Sequence, residues 1–374
     1  MKILQITRQF YPSIGGLENA VEGLSRALMA ERHEVKVITL RKIFSTGETA
    51  PDESCVDGLN VIRIPHWGIR RYPIAPRILE YAHTCDILHI HAIDFFVDFL
   101  ALTRYWHKRP IIVTTHGGIF HTKWLPWFKS GYFRTVTRQS LKRVDAVVSV
   151  SEHDYDLFSQ IVPTQKLHLI RNGVVLEPYL AVKKEITPGL LVGIGRVAPN
   201  KCIDRLVRAI AKLGMSHENV RLVWIGPDDC ESARDLMDLA EQLGVRDRVH
   251  FTGRVDLQTI AQHLSRAHLF VSASSYEGFG LSTLEAMSSG TVPVVTKVGI
   301  HPQVIKPGET GFLVEAEVHS LVAGIDSALR LSPDALLKMG ESARQVALHS
   351  TWSCVLPQYL SLYHAVLHHQ PSNN

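Results

Sequence analysis

Short apolar runs alternate with amphipathic segments along the first half of the chain. Apolar and β-branched runs predict strands, and they fall at Lys2–Thr7, Val35–Leu40, Val61–Ile64, Ile87–His91, Ile111–Thr115 and Ala146–Val150. After the first strand, apolar residues recur near helical spacing at Leu17, Val21, Leu24 and Leu28. Strands separated by helical segments predict a parallel sheet with helices on both faces.

The same alternation starts again after residue 189. The segment Gly173–Gly189 contains Gly, Pro and Lys without clear periodicity and is interpreted as a linker. Further strands are predicted at Leu190–Gly195, Val220–Ile225, Arg248–Phe251, Leu269–Ser272 and Val292–Thr296. We therefore expect an α/β fold of two doubly wound, Rossmann-like domains that face each other across a ligand cleft.

These patterns divide the chain into residues 1–175, 176–351 and 352–374. The last segment predicts a helix, because Trp352, Leu356, Tyr359, Leu360 and Tyr363 share one face at helical spacing.

Composition fits an ordinary globular protein. The 374 residues are 45% hydrophobic and 20% charged, which suits two domains without disorder. No signal peptide and no apolar run of about 18 residues are apparent, so no membrane span is predicted. The five cysteines are scattered without a Cys-x-x-Cys pair. This argues against a disulfide framework or zinc site, and we expect a cytoplasmic protein.

Gly15 and Gly16 close the loop after the first strand and open a helix. Glycines there let backbone amides approach a diphosphate at a helix N-terminus, although a tight turn would select the same residues. The G-x-G-x-x-G dinucleotide fingerprint is absent, which disfavours a dehydrogenase.

Two cations follow the first strand of the second half. Arg196 comes directly after Gly195, and Lys201 lies at the head of the next helix. At the carboxyl end of a strand they could neutralise a leaving diphosphate. Two ordinary surface cations would give the same pattern.

The most specific signal is the segment from Tyr276 to Met287, in which Glu277 lies on a loop and Glu285 about one turn inside a helix. A loop carboxylate can accept hydrogen bonds from sugar hydroxyls, and a helical one can take both hydroxyls of a ribose. The backbone between them can point amides at phosphate, and it consists of Gly278, Phe279, Gly280 and Leu281.

Three histidines and one acidic pair are further candidates for site chemistry. His116 follows the strand Ile111–Thr115 and could touch a transferred sugar, although a lone histidine is more often structural. His89 and His91 share one face of a strand and are interpreted as packing and cleft edge. Asp154 and Asp156 have metal-binding spacing but suit a helix's first turn, so we expect no metal there.

Together these motifs resemble family 4 of the glycosyltransferases, with the GT-B fold, over nearly the whole chain. The resemblance implies retaining transfer from a nucleoside-diphosphate sugar, without a cofactor or catalytic metal. Arg196 and Lys201 would hold the diphosphate, Glu285 the ribose, and Glu277 and His116 the sugar. It also implies acceptor binding by the first domain, donor binding by the second, and a final helix that crosses back to the first.

Segments of the first domain are similar to the α-1,3-mannosyltransferases of xanthan and acetan assembly. They are Arg8–Gly16, Tyr72–Pro76, Ile93–Phe96 and Thr115–Thr122. This resemblance implies mannose transfer from GDP-mannose to a cellobiosyl diphosphopolyprenol in exopolysaccharide synthesis. UDP-glucose, UDP-galactose and UDP-N-acetylglucosamine stay open as donors. An epimerase, a sugar-phosphate synthase or a non-catalytic binding protein of the same fold stay open as alternatives.

Charge is unevenly placed in the first half. Residues 99–144 contain nine Lys and Arg and no Asp or Glu, together with several aromatic residues. One interpretation is a solvated face; the other is an anionic bilayer that holds a lipid-linked acceptor. The second predicts a peripheral protein at the inner face of the cytoplasmic membrane, docked through Lys123–Lys129 and Arg70–Tyr72. No nucleic-acid partner is expected.

Overall fold

A computed structural model of the chain describes residues 1–13, 15–70, 72–116, 131–228, 232–277 and 279–368. The chain forms two compact units, and the division falls between Gly173 and Val174 and again between Thr351 and Trp352. The first unit thus contains the N-terminal part together with the C-terminal helix.

The first unit is built around a sheet of eight strands. Its strands and a separate hairpin are β1 Lys2–Ile6, β2 Glu34–Leu40, β3 Glu53–Val56, β4 Leu59–Ile64, β5 Trp67–Ile69, β6 Tyr72–Ile74, β7 Ile87–His91, β8 Ile111–Thr114, β9 Ala146–Ser149 and β10 Leu167–Leu169. Its described helices are α1 Gly16–Ala30, α2 Ile78–Ala82, α3 Phe95–Leu102, α4 Arg104–His107, α5 Arg138–Lys142 and α6 Glu152–Ser159, with a π-helical turn at Phe133–Thr137.

The strand order of this sheet is β10-β9-β8-β7-β1-β2-β4-β3. All pairings are parallel except that between β3 and β4. The chain runs outward from β1 through β2 and β4, then returns to β7 on the other side of β1. The loops after β1 and β7 therefore leave the carboxyl edge at a topological switch point, where open α/β sheets bind ligands.

Apolar residues cover both faces of the first sheet. On one face the last helix, Trp352–His368, buries Trp352, Tyr359 and Tyr363 against residues such as Ile3 and Val21. Gly23 and Gly173 lie against the Trp352 indole, where any larger residue would collide with it. The helical face predicted for this segment therefore packs on the sheet of the first unit.

The second unit contains a six-stranded parallel sheet. Its strands are β11 Leu190–Ile194, β12 Arg221–Ile225, β13 Val249–Gly253, β14 Leu269–Ser272, β15 Val292–Thr296 and β16 Phe312–Val314. The helices of this unit are α7 Glu177–Leu180, α8 Ile203–Leu213, α9 Ser232–Gln242, α10 Leu257–Arg266, α11 Leu281–Ser288, α12 His301–Val304, α13 Val318–Leu329 and α14 Pro333–Leu348, and we label the C-terminal helix α15.

The second sheet has the order β13-β12-β11-β14-β15-β16. The chain moves outward from β11 to β13 and then returns to β14 on the other side of β11. The switch point of this sheet lies between β11 and β14, so the loops that carry Arg196 and Glu277 leave the sheet side by side.

The linker interpretation of Gly173–Gly189 is wrong for most of its length. Val174 onward belongs to the second unit, where α7 buries Tyr179. Lys184 donates to the carbonyls of Leu264 and Ala267 and to the Thr291 hydroxyl. The segment lacks periodicity because single side chains, and not a continuous face, anchor it.

Candidate active site

The loop after β11 is shaped around one glycine. Gly195 has φ 145°, and a side chain there would place its first carbon 2.9 Å from Cε of Lys201. The Trp224 indole donates to the Gly195 carbonyl at 2.8 Å. Only glycine tolerates this conformation and this close approach, so Gly195 lets the Lys201 side chain lie across the end of the strand.

Lys201 and Glu277 form a nearly buried ion pair. The Lys201 Nζ and Glu277 Oε1 are 2.7 Å apart, and the two side chains are 14% and 11% exposed. The Ser274 hydroxyl donates to the same oxygen at 2.7 Å. Burial acts to raise the pKa of Glu277, but Lys201 and Ser274 outweigh it, so the pKa lies below its ordinary value. Glu277 is therefore ionised, and its second carboxylate oxygen takes no part in the contacts with Lys201 and Ser274.

Backbone contacts join the β11 and β14 loops. The Ser275 amide donates to the Asn200 carbonyl at 2.8 Å, and the Asn200 side chain donates to the Tyr276 carbonyl at 3.2 Å. These bonds fix the loop carrying Lys201 against the loop carrying Glu277.

A third loop, after β15, supports the start of α11. Gly280 precedes that helix with φ 111°, and a side chain there would meet the imidazole of His301. His301 Nδ1 lies 2.7 Å from the Thr296 carbonyl and Nε2 lies 2.8 Å from the Thr283 hydroxyl. Burial lowers the pKa of His301, so the neutral ring donates from Nδ1 and accepts at Nε2. The ring thus fixes the first turn of α11.

Glu285 lies in α11 beside the buried hydroxyl of Tyr179. Burial raises the pKa of Glu285 to about 7, and the contact with Tyr179 offsets it only in part. No cation among the described residues is paired with Glu285 to lower this pKa again, so the carboxyl gains or loses its proton near neutral pH.

Arg196 differs from Lys201 in its surroundings. Its side chain is exposed, and within the described part of the chain it has no hydrogen-bond or ion-pair partner. Position along the chain pairs Arg196 with Lys201 and Glu277 with Glu285, whereas in the structure the ion pair joins Lys201 to Glu277. Arg196 is thus the cation of this group whose charge no described carboxylate neutralises.

His116 begins a second cluster, at the carboxyl edge of the first sheet. It follows β8 with φ 50°, and its Nε2 lies 2.9 Å from Nδ1 of His91. His91, which is interpreted from the sequence as packing and cleft edge, contacts His116 directly through its ring. The loop after β1 leaves the same edge of the sheet, and there Arg8 Nε lies 3.2 Å from the buried carboxylate of Asp94.

Gly15 and Gly16 lie at the start of α1, as expected. The Glu18 carboxylate lies against Gly15, where an added side chain would come within 2.5 Å of it. An anion approaching this helix would meet that carboxylate as well as the favourable helix dipole. Asp154 lies in the first turn of α6 and accepts from the Thr115 hydroxyl. No group of acidic, His and Cys side chains suited to a metal occurs among the described residues.

Several predicted positions lie outside the described residues. They are Gly278 of the loop before α11, Arg71, and Gly117 to Ser130, which includes Lys123–Lys129. Phe279 is buried, and its carbonyl accepts from the Ile300 amide at 2.7 Å. Gly280 is the N-cap of α11, and Leu281 is its first residue. The described sections contain no helix with the length and hydrophobicity to traverse a bilayer.

Comparison with known proteins identifies the family. Residues 14–178 match the model "Glycosyltransferase Family 4", and residues 181–346 match "Glycosyl transferases group 1". A GDP-mannose:cellobiosyl-diphosphopolyprenol alpha-mannosyltransferase of Xanthomonas campestris is 32% identical over 98% of this chain and 97% of its own. The chain belongs to family 4 of the glycosyltransferases.

Solved structures of such glycosyltransferases share its GT-B fold. Sucrose-phosphate synthase of Thermosynechococcus elongatus has a TM-score of 0.80 at 21% identity, covering 99% of this chain and 100% of its own. Anabaena HepE in complex with UDP and glucose has a TM-score of 0.78 at 18% identity, covering 97% and 99%. Among the sequence relatives, an enzyme of Komagataeibacter xylinus with the same name as the Xanthomonas campestris enzyme is 32% identical over 98% of this chain and 94% of its own. The predicted fold and family are confirmed.

Residues missing from the sequence-based site share one property. Ser274, His301 and Tyr179 contact the predicted glutamates or the helix that carries one of them. Neither His301 nor Tyr179 belongs to a recognisable motif. Only the position of Ser274 and His301 just after predicted strands could have indicated them.

Proposed function

We propose that this protein transfers mannose from GDP-mannose to a lipid-linked, cellobiosyl diphosphopolyprenol-like acceptor in exopolysaccharide synthesis. The observation that carries the proposal is the near full-length similarity to the Xanthomonas enzyme. Because the alignment with that enzyme spans both units, it supports the same classes of donor and acceptor for this protein.

The second unit supports donor binding. Exposed Arg196 and the amides opening α11 can neutralise the leaving diphosphate. Glu285 can accept both ribose hydroxyls, and ionised Glu277 can accept from sugar hydroxyls while Lys201 holds it in place. In the first unit, His116 contacts the transferred sugar.

The reaction we propose retains the configuration of the sugar. The bond from the sugar's anomeric carbon to the diphosphate breaks, and a bond to the acceptor hydroxyl oxygen forms on the same face. The hydroxyl proton passes to the departing diphosphate oxygen. Arg196 and the helix amides act mainly on charge that develops as this bond breaks, so they accelerate the chemical step. No metal ion is assigned a role in it.

A donor screen tests this proposal. Purified protein is incubated with a synthetic cellobiosyl diphospholipid and, separately, GDP-mannose, UDP-glucose, UDP-galactose or UDP-N-acetylglucosamine. We expect transfer from GDP-mannose and an α-linked product by NMR. Preferred use of a UDP-sugar would refute GDP-mannose as the donor. Release of free sugar without acceptor would indicate an epimerase, and use of a soluble sugar phosphate a synthase.

The proposal includes peripheral contact of the first unit with an anionic bilayer. Leu102, Tyr105, Trp106 and Val136 are 68%, 84%, 67% and 43% exposed. Leu102 and Val136 also line a groove of about 560 Å³, together with Arg138, Lys142 and Arg143 and with one acidic residue, Asp98. Aromatic and apolar side chains suit the bilayer interface, and each nearby cation adds about 1 kcal/mol on anionic lipid. This combination supports lipid contact over an ordinary solvated face.

Vesicle co-sedimentation separates the two readings of this surface. We expect binding to phosphatidylglycerol-containing vesicles but not to neutral ones, weakened by salt and by K142E/R143E. The charge-matched control is K212E/R221E, which changes exposed cations of the second unit. Equal binding by both double variants, or none by the wild type at low salt, would refute the contact. Transfer to a short, soluble acceptor should be unchanged in K142E/R143E.

A further inference from the structure

Two imidazoles and an amide form a chain beneath the carboxyl edge of the first sheet. His91 Nδ1 lies 2.9 Å from His116 Nε2, and His91 Nε2 lies 2.6 Å from Oε1 of Gln5. His91 is 2% exposed, whereas His116 is partly exposed. His91 therefore cannot contact a bound molecule itself, but it contacts the residue that can.

The hydrogen positions follow from these contacts. Burial lowers the pKa of His91 well below its ordinary value and that of His116 to about 4, so both rings are neutral near pH 7. The Gln5 oxygen can only accept, so His91 carries its hydrogen on Nε2 and accepts at Nδ1. His116 must then donate from Nε2, which leaves its Nδ1 without a hydrogen.

The surroundings hold the His91 ring in place. The His89 ring lies 4.3 Å away, centroid to centroid. His89 in turn contacts the Thr114 hydroxyl and the Tyr363 hydroxyl of α15, each at 2.7 Å. His116 itself has the positive φ that non-glycine residues adopt at a cost. The C-terminal helix thus supports, through His89 and His91, a histidine held in an unusual conformation.

We propose that His91, together with Gln5, is a positioning residue that fixes the tautomer of His116, so that His116 Nδ1 accepts a hydrogen bond from a hydroxyl of the transferred sugar. This inference rests on the proposed function for the ligand, but the tautomer does not depend on which sugar is transferred. A donor hydroxyl is the complementary group, because Nδ1 without hydrogen can only accept.

Kinetics of three variants test the positioning role. His91→Leu removes the acceptor for His116 Nε2, while His91→Gln keeps a side-chain oxygen that can accept. We expect kcat to fall on the order of tenfold to a hundredfold in His91→Leu and to recover in part in His91→Gln. Affinity for the nucleoside diphosphate should be unchanged, because that site belongs to the second unit. His107→Gln is the matched control, since His107 is an equally buried histidine whose ring nitrogens form hydrogen bonds only with local backbone groups.

Nitrogen-15 NMR of the wild-type imidazoles tests the tautomer without any substrate. The His116 signals are assigned by their loss in His116→Gln. We expect Nε2 protonated and Nδ1 unprotonated, and a mixture of tautomers in His91→Leu. A protonated Nδ1 in the wild type, or wild-type kcat in His91→Leu, would overturn the inference. If mannose is not the sugar transferred, the proposed donor fails while the NMR result still decides this inference.

Discussion

Breaking the Lys201–Glu277 pair from either side should destabilise the second unit. Lys201→Met leaves a carboxylate that is 11% exposed with only the Ser274 hydroxyl as a described donor, and Glu277→Gln leaves an ammonium that is 14% exposed. Removing one partner of a buried pair costs about 3–5 kcal/mol. Because both groups keep some contact with water, we expect about 3 kcal/mol for each single variant. The double variant should lose less than the sum, giving a coupling energy of about 2 kcal/mol.

Hydrogen exchange by mass spectrometry can measure this locally, since unfolding of a chain with two units need not be a single transition. Peptides covering β11 and β14 report the opening free energy of this region. The control cycle uses Lys297 and Glu315, which lie 2.6 Å apart but are 52% and 61% exposed. That pair should couple by less than about 1 kcal/mol. If both cycles give the same coupling energy, our account of a desolvated pair is wrong.

Further predictions concern three residues of the donor site. Arg196→Ala should lower transfer at least about tenfold without loss of stability, whereas Arg221→Ala, another exposed arginine of this unit, should not. Gly195→Ala should lower transfer by displacing Lys201 from Glu277, and Gly244→Ala, also at positive φ but in open space, should not. Burial raises the pKa of Glu285 to about 7, so its carboxylate forms as pH rises through that value; the affinity advantage of wild type over Glu285→Gln for nucleoside diphosphate should grow from about pH 6 to pH 8. The stability of the unliganded protein should depend on pH in the opposite direction, because the folded state favours the protonated Glu285 carboxyl. Relative to Glu285→Gln, the wild type should lose up to about 3 kcal/mol of its free energy of unfolding between about pH 4.5 and pH 7, measured by urea unfolding.

Much of the fold could be predicted because its strands are short apolar runs followed by turns. β7, β14 and β15 have the predicted bounds, and other predicted strands differ by one or two residues at their ends. The hairpin β5–β6 was missed because each strand has only three residues, too few for a period to be detected, and the side chains of β5 are all exposed. β3 was missed as well, since only one partner, β4, holds this antiparallel edge strand.

The candidate site was predictable where its residues directly follow strands. Arg196 and Glu277 fall beyond the ends of β11 and β14, and strand order places those ends together. The pairing of Lys201 with Glu277 was not predictable, because 76 residues separate them and only the folded loops bring them together. Tyr179 lay in a segment interpreted as linker. The link from His91 to His116 joins neighbouring strands, which the spacing of two histidines within one strand cannot reveal.

The most direct test of the proposed function is a competition among donors. The wild-type protein receives the synthetic cellobiosyl diphospholipid and an equal mixture of GDP-mannose, labelled with heavy carbon in the mannose, and unlabelled UDP-glucose, UDP-galactose and UDP-N-acetylglucosamine. Mass spectrometry of the lipid product then reads out which sugar was added. Our account predicts a product carrying the labelled hexose. A product carrying an unlabelled hexose or N-acetylhexosamine would contradict it.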